Sequence, residues 1–169
     1  YIEREDFKEE ANRKFFRLTL GREVRLKNAY VIKGEEVVKD AEGTITEIIC
    51  TYDPLSKSGS GSQESQRKVK GTLHWVSTSQ AHPIKVNLYD RLFSVEEPDK
   101  NKEEDPTQFI NPNSLSQVQG YIEPSASRAS LGAKFQFQRL GYFILDEKTS
   151  DGEMVFNKTV GLRDTWKKR

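Results

Sequence analysis

The chain has 169 residues, with 27 Lys and Arg against 26 Asp and Glu and a formal net charge of +1. Its 34% hydrophobic fraction is low and its 31% charged fraction high, which favours small cores under much solvated surface, in one ordinary domain or two small ones with no need of a disulfide or metal staple. No apolar run approaches the roughly 18 residues of a membrane span, the single cysteine Cys50 excludes an internal disulfide and makes a reducing, cytoplasmic compartment the expectation, and Cys50, His74 and His82 lack the spacing of a zinc site.

A chain that starts at Tyr1 rather than at methionine reads as a processed or cut piece of something longer. Residues 5–20 have helical periodicity. Phe7, Ala11, Phe15 and Leu18 share one face, Arg13 and Arg17 the opposite one, and Glu9 with Arg13 and Glu10 with Lys14 form i,i+4 pairs. Gly21 supplies a stop signal. An amphipathic helix is therefore expected to lead into a sheet.

Period two then takes over. Val24, Leu26, Tyr30 and Ile32 alternate with Arg25, Lys27 and Ala29, Asp40 to Gly43 is a hairpin signal, and 44–52 is the return strand. Residues 54–67 are rich in Gly and Ser and read as a mobile loop. Strands follow at 68–78, with Val69, Leu73 and Trp75 on one face, and at 84–93. Residues 96–105 hold six acids and two lysines, a net charge of −4 that leaves +5 on the rest of the chain. With prolines at either end and no apolar residue, they read as a solvated loop. Strands return at 116–123, 133–139, 141–146 and 154–160. Short strands with turns at this spacing indicate an all-β chain. The central loop favours two small antiparallel barrels: residues 1–93 with the leading helix, to which 154–166 could return, and residues 94–169.

No phosphate loop or nucleophile elbow is present. His74 beside Trp75 and Cys50 mid-strand read as structural residues. The informative groups are basic or amide and sit on strand faces. Arg25 and Lys27 project opposite Val24 and Leu26, and Arg17 lies on the polar helix face. In 133–139, Gln136 and Gln138 share a face with Lys134, opposite Phe135 and Phe137. Amides and guanidinium groups on a rigid strand suit base-edge recognition in single-stranded nucleic acid. A solvated, ion-paired or Gln-laddered sheet face explains the same pattern without a ligand.

Five collinear stretches carry a resemblance: GREVRLKNAYVIK (21–33), KVKGTLHWVS (68–77), LYDRLFSV (88–95), FQFQRLGYF (135–143) and VFNKTVGLRDTW (155–166). They are similar to the C-terminal anticodon-binding region of the glutaminyl-tRNA synthetases, in the glutamate and glutamine subfamily of class I. The resemblance covers essentially the whole chain. It implies two six-stranded β-barrels, an N-terminal catalytic domain elsewhere in the same protein, a monomer, and a tRNA(Gln) anticodon loop as partner. It implies no cofactor for this chain, and ATP and magnesium for the parent ligase.

The family's base contacts map onto Arg25 for the first anticodon base, assisted at Lys27, where the family has an arginine. Lysine keeps that charge and lacks the planar fork. Gln136 and Arg139 match the pair around the central base, and Arg17 matches the arginine at the third. Phe16 and Lys14 replace polar residues that assist there. Arg163 and Thr165 are implied as supporting residues, and Lys33, Lys68 and Lys70 are candidate backbone contacts. The readings to weigh against this one are the corresponding domain of a eukaryotic-type glutamyl-tRNA synthetase, a non-catalytic protein-interaction module, a self-contained enzyme and a ribosomal RNA binder.

Overall fold

The structure is a computed structural model and describes residues 1–149 and 153–162. The chain divides into two compact units, Tyr1–Val76 and Ser77–Arg169. Each contains one sheet.

The sheet of the first unit has the order β3-β2-β1-β4, from β1 (Glu23–Leu26), β2 (Val31–Lys39), β3 (Ile45–Asp53) and β4 (Thr72–Leu73). The alternation expected to run on from Val24 to Ile32 is instead a hairpin that sets Val24 opposite Ile32. Its turn is closed by the Ala29 N–H donating to Leu26 O at 3.0 Å, with Asn28 at a φ of 58°. Asparagine tolerates that left-handed conformation, and the turn returns the chain in step, so the period survives the reversal. The Asp40 turn forms as expected. Its carboxylate accepts from the N–H groups of Glu42 and Thr44 at 3.1 and 2.8 Å. The expected strand 68–78 shrinks to β4, which lies parallel to β1.

The helix expected over 5–20 does not form. A single 3-10 turn spans Arg4–Asp6. Phe7 then pairs with Leu18 in a parallel bridge, where the Lys8 N–H donates to Leu18 O and the Leu18 N–H to Asp6 O. Phe7 and Leu18 are buried with Val24 and Leu73 in the core of this unit. The apolar spacing was a core signal, read with the wrong geometry. Two i,i+4 pairs contribute only a few tenths of a kcal/mol each. Asn12 meanwhile accepts from the Lys14 N–H at 2.9 Å, the local bond by which Asn competes with a helix. Cys50 packs against this core, and burial pushes its thiol pKa up, as befits a structural residue.

In the second unit β5 (His82–Tyr89), β6 (Leu115–Ile122), β7 (Lys134–Phe137), β8 (Gly141–Leu145) and β9 (Met154–Val160) form a sheet in the order β6-β5-β9-β8-β7. Its core gathers Ile84, Val86, Ile122, Phe143, Leu145 and Phe156. The Phe137 ring stacks on Phe143 with centroids 4.3 Å apart, and Phe135 meets Phe156 edge-on. On the opposite face an amide ladder crosses three strands and ends just past β8. Gln117 donates to Asn87, Asn87 to Asn157, and Asn157 to Asp146, at 3.0, 2.9 and 2.6 Å. Tyr89 Oη adds a bond to Asn157.

Four expectations change here. The boundary expected at 93/94 falls at 76/77, because β5 pairs with β6 and β9 rather than with the first sheet. The acidic loop is exposed as expected, but it joins β5 to β6 inside the second unit. β9 does not return to the first sheet; it runs parallel to β5 and antiparallel to β8. Among the described residues the sheets hold four and five strands rather than six each, and both mix parallel with antiparallel pairs.

Candidate functional site

Arg25 leaves β1 on the face away from the core and turns its guanidinium toward the segment 54–67. Nη1 donates to Ser56 O at 2.8 Å and Ser58 Oγ at 3.2 Å; Nη2 donates to Ser65 O at 3.1 Å and Arg67 O at 3.3 Å. Each terminal N–H therefore has an acceptor in this conformation. The loop expected to be mobile is instead fastened. It carries a 3-10 turn, Pro54–Ser56, and the short helix α1 (Gln63–Gln66), whose N-cap Ser62 accepts from the Ser65 N–H. Ser56 is fully buried, accepting from the Val31 N–H and donating to Asp53 O. Arg67 closes the far end with a two-pronged pair on Glu23. That hydrogen bond holds the Glu23 carboxyl below its usual range and raises the Arg67 pKa.

Lys27 lies past the end of β1, in the hairpin turn. Its backbone is fixed on both sides: its N–H donates to Leu73 O, and its carbonyl accepts from Trp75 Nε1 at 3.0 Å. The side chain is exposed.

Arg17 is anchored rather than solvated. Nε donates to Asp6 Oδ1 at 2.8 Å, with the arginine side chain 37% exposed and the aspartate side chain 5%. A second bond runs from Nη1 to Phe16 O. That carbonyl is approached by Gly71, whose φ is 110° and where a Cβ would stand 2.5 Å from it. Lys70 follows from the same close approach, its ammonium 5.8 Å from the centroid of the exposed Phe16 ring. The first unit thus gathers Phe16, Arg17 and Lys70 on one surface. Of the other candidate lysines, Lys33 pairs with Glu35.

Gln136 stands at the middle of β7, an edge strand, with Phe135 and Phe137 turned into the core and Gln136 itself exposed. Gln138 lies past the end of β7, half-buried in the turn. The Leu140 N–H donates to Phe137 O at 3.0 Å, Arg139 takes a φ of 66°, and the chain reverses into β8. Arg139 is half-buried in that turn. Gly141 lets β8 start there, since a Cβ on it would lie 2.4 Å from Val160 O. Arg163 and Thr165 lie outside the described residues. Among the described residues no three His, Cys, Asp or Glu side chains gather as metal ligands.

Sequence reasoning missed the acceptors of Arg25, since nothing in a Gly/Ser-rich run says which carbonyls will face an arginine. It also missed Tyr142, which the hairpin sets directly opposite Gln136. The signal was available in the pairing of FQF with GYF around a turn.

Two family models match, both described as anticodon-binding domains of class I (E and Q) tRNA synthetases, over residues 1–53 and 72–146. The chain belongs to this family of anticodon-binding domains. Glutamine-tRNA ligase of Rhodopirellula baltica is 50% identical over 99% of the chain, that of Escherichia coli O157:H7 56% and that of Citrobacter koseri 54%. The chain spans about 30% of the length of these curated relatives. The second family match begins at Thr72 and covers β4 through β8, while the first covers the hairpin that presents Arg25 and the anchored Arg17.

Proposed function

We propose that this chain is the part of a glutamine-tRNA ligase that reads the anticodon of tRNA(Gln). The collinear identity of 50–56% with glutamine-tRNA ligases over 99% of the chain carries the reading. Gln136 presents an outward amide, and Arg17 presents a guanidinium braced on a buried carboxylate. Arg25 exchanges some of its protein acceptors for RNA ones, and Lys27 assists from the turn. Arg139 completes the site around the base held by Gln136, supported by Arg163 and Thr165. Hydrogen bonding of this kind discriminates bases by ~1–3 kcal/mol per good bidentate pair in the duplex-DNA analogue. ATP, magnesium and the attachment of glutamine belong to the catalytic part of the parent enzyme, and no residue of this chain is assigned to them. A cytoplasmic monomer is the expected form.

Filter binding tests the proposal. The chain is expected to hold tRNA(Gln) more tightly than the same tRNA with a swapped anticodon, and Gln136→Ala and Arg17→Ala are expected to narrow that difference. Equal affinity for both tRNAs, with both variants silent, overturns it. Preference for tRNA(Glu) moves the chain to the glutamyl branch of the family.

A further inference from the structure

The β7–β8 hairpin carries a pairing that the family reading does not use. Gln136 and Tyr142 are direct cross-strand partners. The Leu145 N–H donates to Ala133 O at 2.9 Å, so 133 and 145 are a hydrogen-bonded pair. Alternation along an antiparallel ladder then makes 136 and 142 a non-hydrogen-bonded pair, where the side chains approach most closely. The same parity turns the backbone N–H and C=O of Gln136 outward from the sheet edge.

Tyr142 is 45% exposed. The alternate residues on the two strands, Phe135, Phe137 and Phe143, fill the core, so the backbone is held rigidly beneath the Gln136–Tyr142 pair. Across β8 the neighbour of Tyr142 is Val160, itself 57% exposed. The ring therefore lies between an amide and an aliphatic side chain on an open face. Neither its hydroxyl nor its π-face has a partner among the described residues, while Tyr89, the exposed tyrosine of β5, bonds Asn157.

We propose that Tyr142 is the stacking platform for the nucleobase whose hydrogen-bonding edge Gln136 reads. The inference rests on the anticodon-reading function above and adds a specificity-determining residue to it. An amide alone has poor purchase on a base in water, because it exchanges solvent hydrogen bonds for equivalent ones. An aromatic face beside it covers the base plane and dries the edge that the amide must read. Stacking tolerates any base, and the amide then selects among them. Lys134 is exposed on the same face of β7, one pleat from Gln136, and suits a flanking phosphate.

The test uses the chain with anticodon stem-loops of tRNA(Gln) carrying 2-aminopurine at each anticodon position in turn. One position is expected to lose fluorescence on binding, through stacking. Tyr142→Ala restores the emission at that position and weakens binding roughly tenfold, the order expected for a base–aromatic stack. Tyr142→Phe keeps the quench, since the hydroxyl is not used. Tyr142→Leu keeps bulk on the sheet and loses the quench, which separates stacking from folding should the alanine variant misfold. Gln136→Ala reduces anticodon preference while the quench persists at saturating protein. An unchanged quench in Tyr142→Leu or Tyr142→Ala overturns the platform and leaves anticodon reading standing. Equal binding of anticodon-swapped stem-loops overturns both together.

Discussion

In the unit Tyr1–Val76 the candidate arginines are occupied by the protein itself. Arg25 donates to four oxygens of the segment 54–67, and Arg17 is bonded to a carboxylate that is almost fully buried. In the unit Ser77–Arg169 Gln136 stands exposed on an edge strand, its hairpin held from below by phenylalanines. The first arrangement uses charged groups to build a surface, and on the proposed function RNA has to compete for them. The second keeps a neutral amide open on a rigid support. A charged fork left open attracts any phosphate, since backbone contacts carry no sequence information, whereas an open amide attracts none strongly. On the proposed function, both serve discrimination among tRNAs of equal charge.

The comparison can be broken most forcefully at the hairpin. Gly141→Ala sets a Cβ against Val160 O on a left-handed backbone. It is expected to cost the second unit at least about 2 kcal/mol, read as a lower urea midpoint. Substituting Gln136 there should leave the midpoint unchanged and alter RNA binding alone.

Arg25→Ala should do the opposite. Its carbonyl partners lose their donor, for a loss of about 1–3 kcal/mol, and proteolysis within 57–66 should accelerate before global unfolding. Arg25→Lys is expected to recover little of this, because one ammonium cannot span the acceptors that the planar fork reaches. If neither variant loosens the segment, the view of Arg25 as a builder fails.

Arg17→Ala removes the guanidinium from the buried Asp6 carboxylate. The pair is half open to solvent on the arginine side, so the expected loss is about 1 kcal/mol, seen in thermal unfolding. Asp6→Asn should weaken anticodon preference while leaving total RNA affinity nearly unchanged, since the arginine charge remains and its placement does not.

The smallest effect is a pH dependence. The Arg67 hydrogen bond lowers the Glu23 pKa below its ordinary value of about 4.5. The pair's contribution is therefore fully present above that value and is lost as pH falls through the lowered one. Hydrogen exchange at α1 should rise over that acid range, and Glu23→Gln should flatten the rise while exposing the segment at neutral pH.

What could be read in the sequence follows from what each signal encodes. Strand alternation reports which side chains are buried, so β3, β6, β8 and β9 were legible nearly to the residue. The same signal cannot distinguish a strand from a hairpin whose turn keeps the period, which is why β1 and β2 ran together through Asn28. The buried pair Phe7 and Leu18 was visible as apolar, but its bridge depends on Asp6 and Leu18 meeting across a loop that no local propensity describes. The residues proposed for the site come from the family resemblance, which carries no information on their states. That Gln136 is open and Arg25 closed is decided by which distant carbonyls the fold delivers. The boundary at 76/77 was hidden because strand pairing partners, unlike strand positions, leave no periodic trace.

The amide ladder of the second sheet has a metrological consequence. Asn87 and Asn157 fix the parallel β5–β9 pair by a bond that exists in one register only. From Asn157 the chain runs to Val160, whose carbonyl abuts Gly141, and from Gly141 the hairpin returns to Gln136. Asn157 is thus the datum from which the position of Gln136 is measured. A slip of one residue displaces a strand by about 3.3 Å, far outside the tolerance of a hydrogen bond, so on the proposed function the accuracy with which a base is gauged at the sheet edge is set by an amide two strands away.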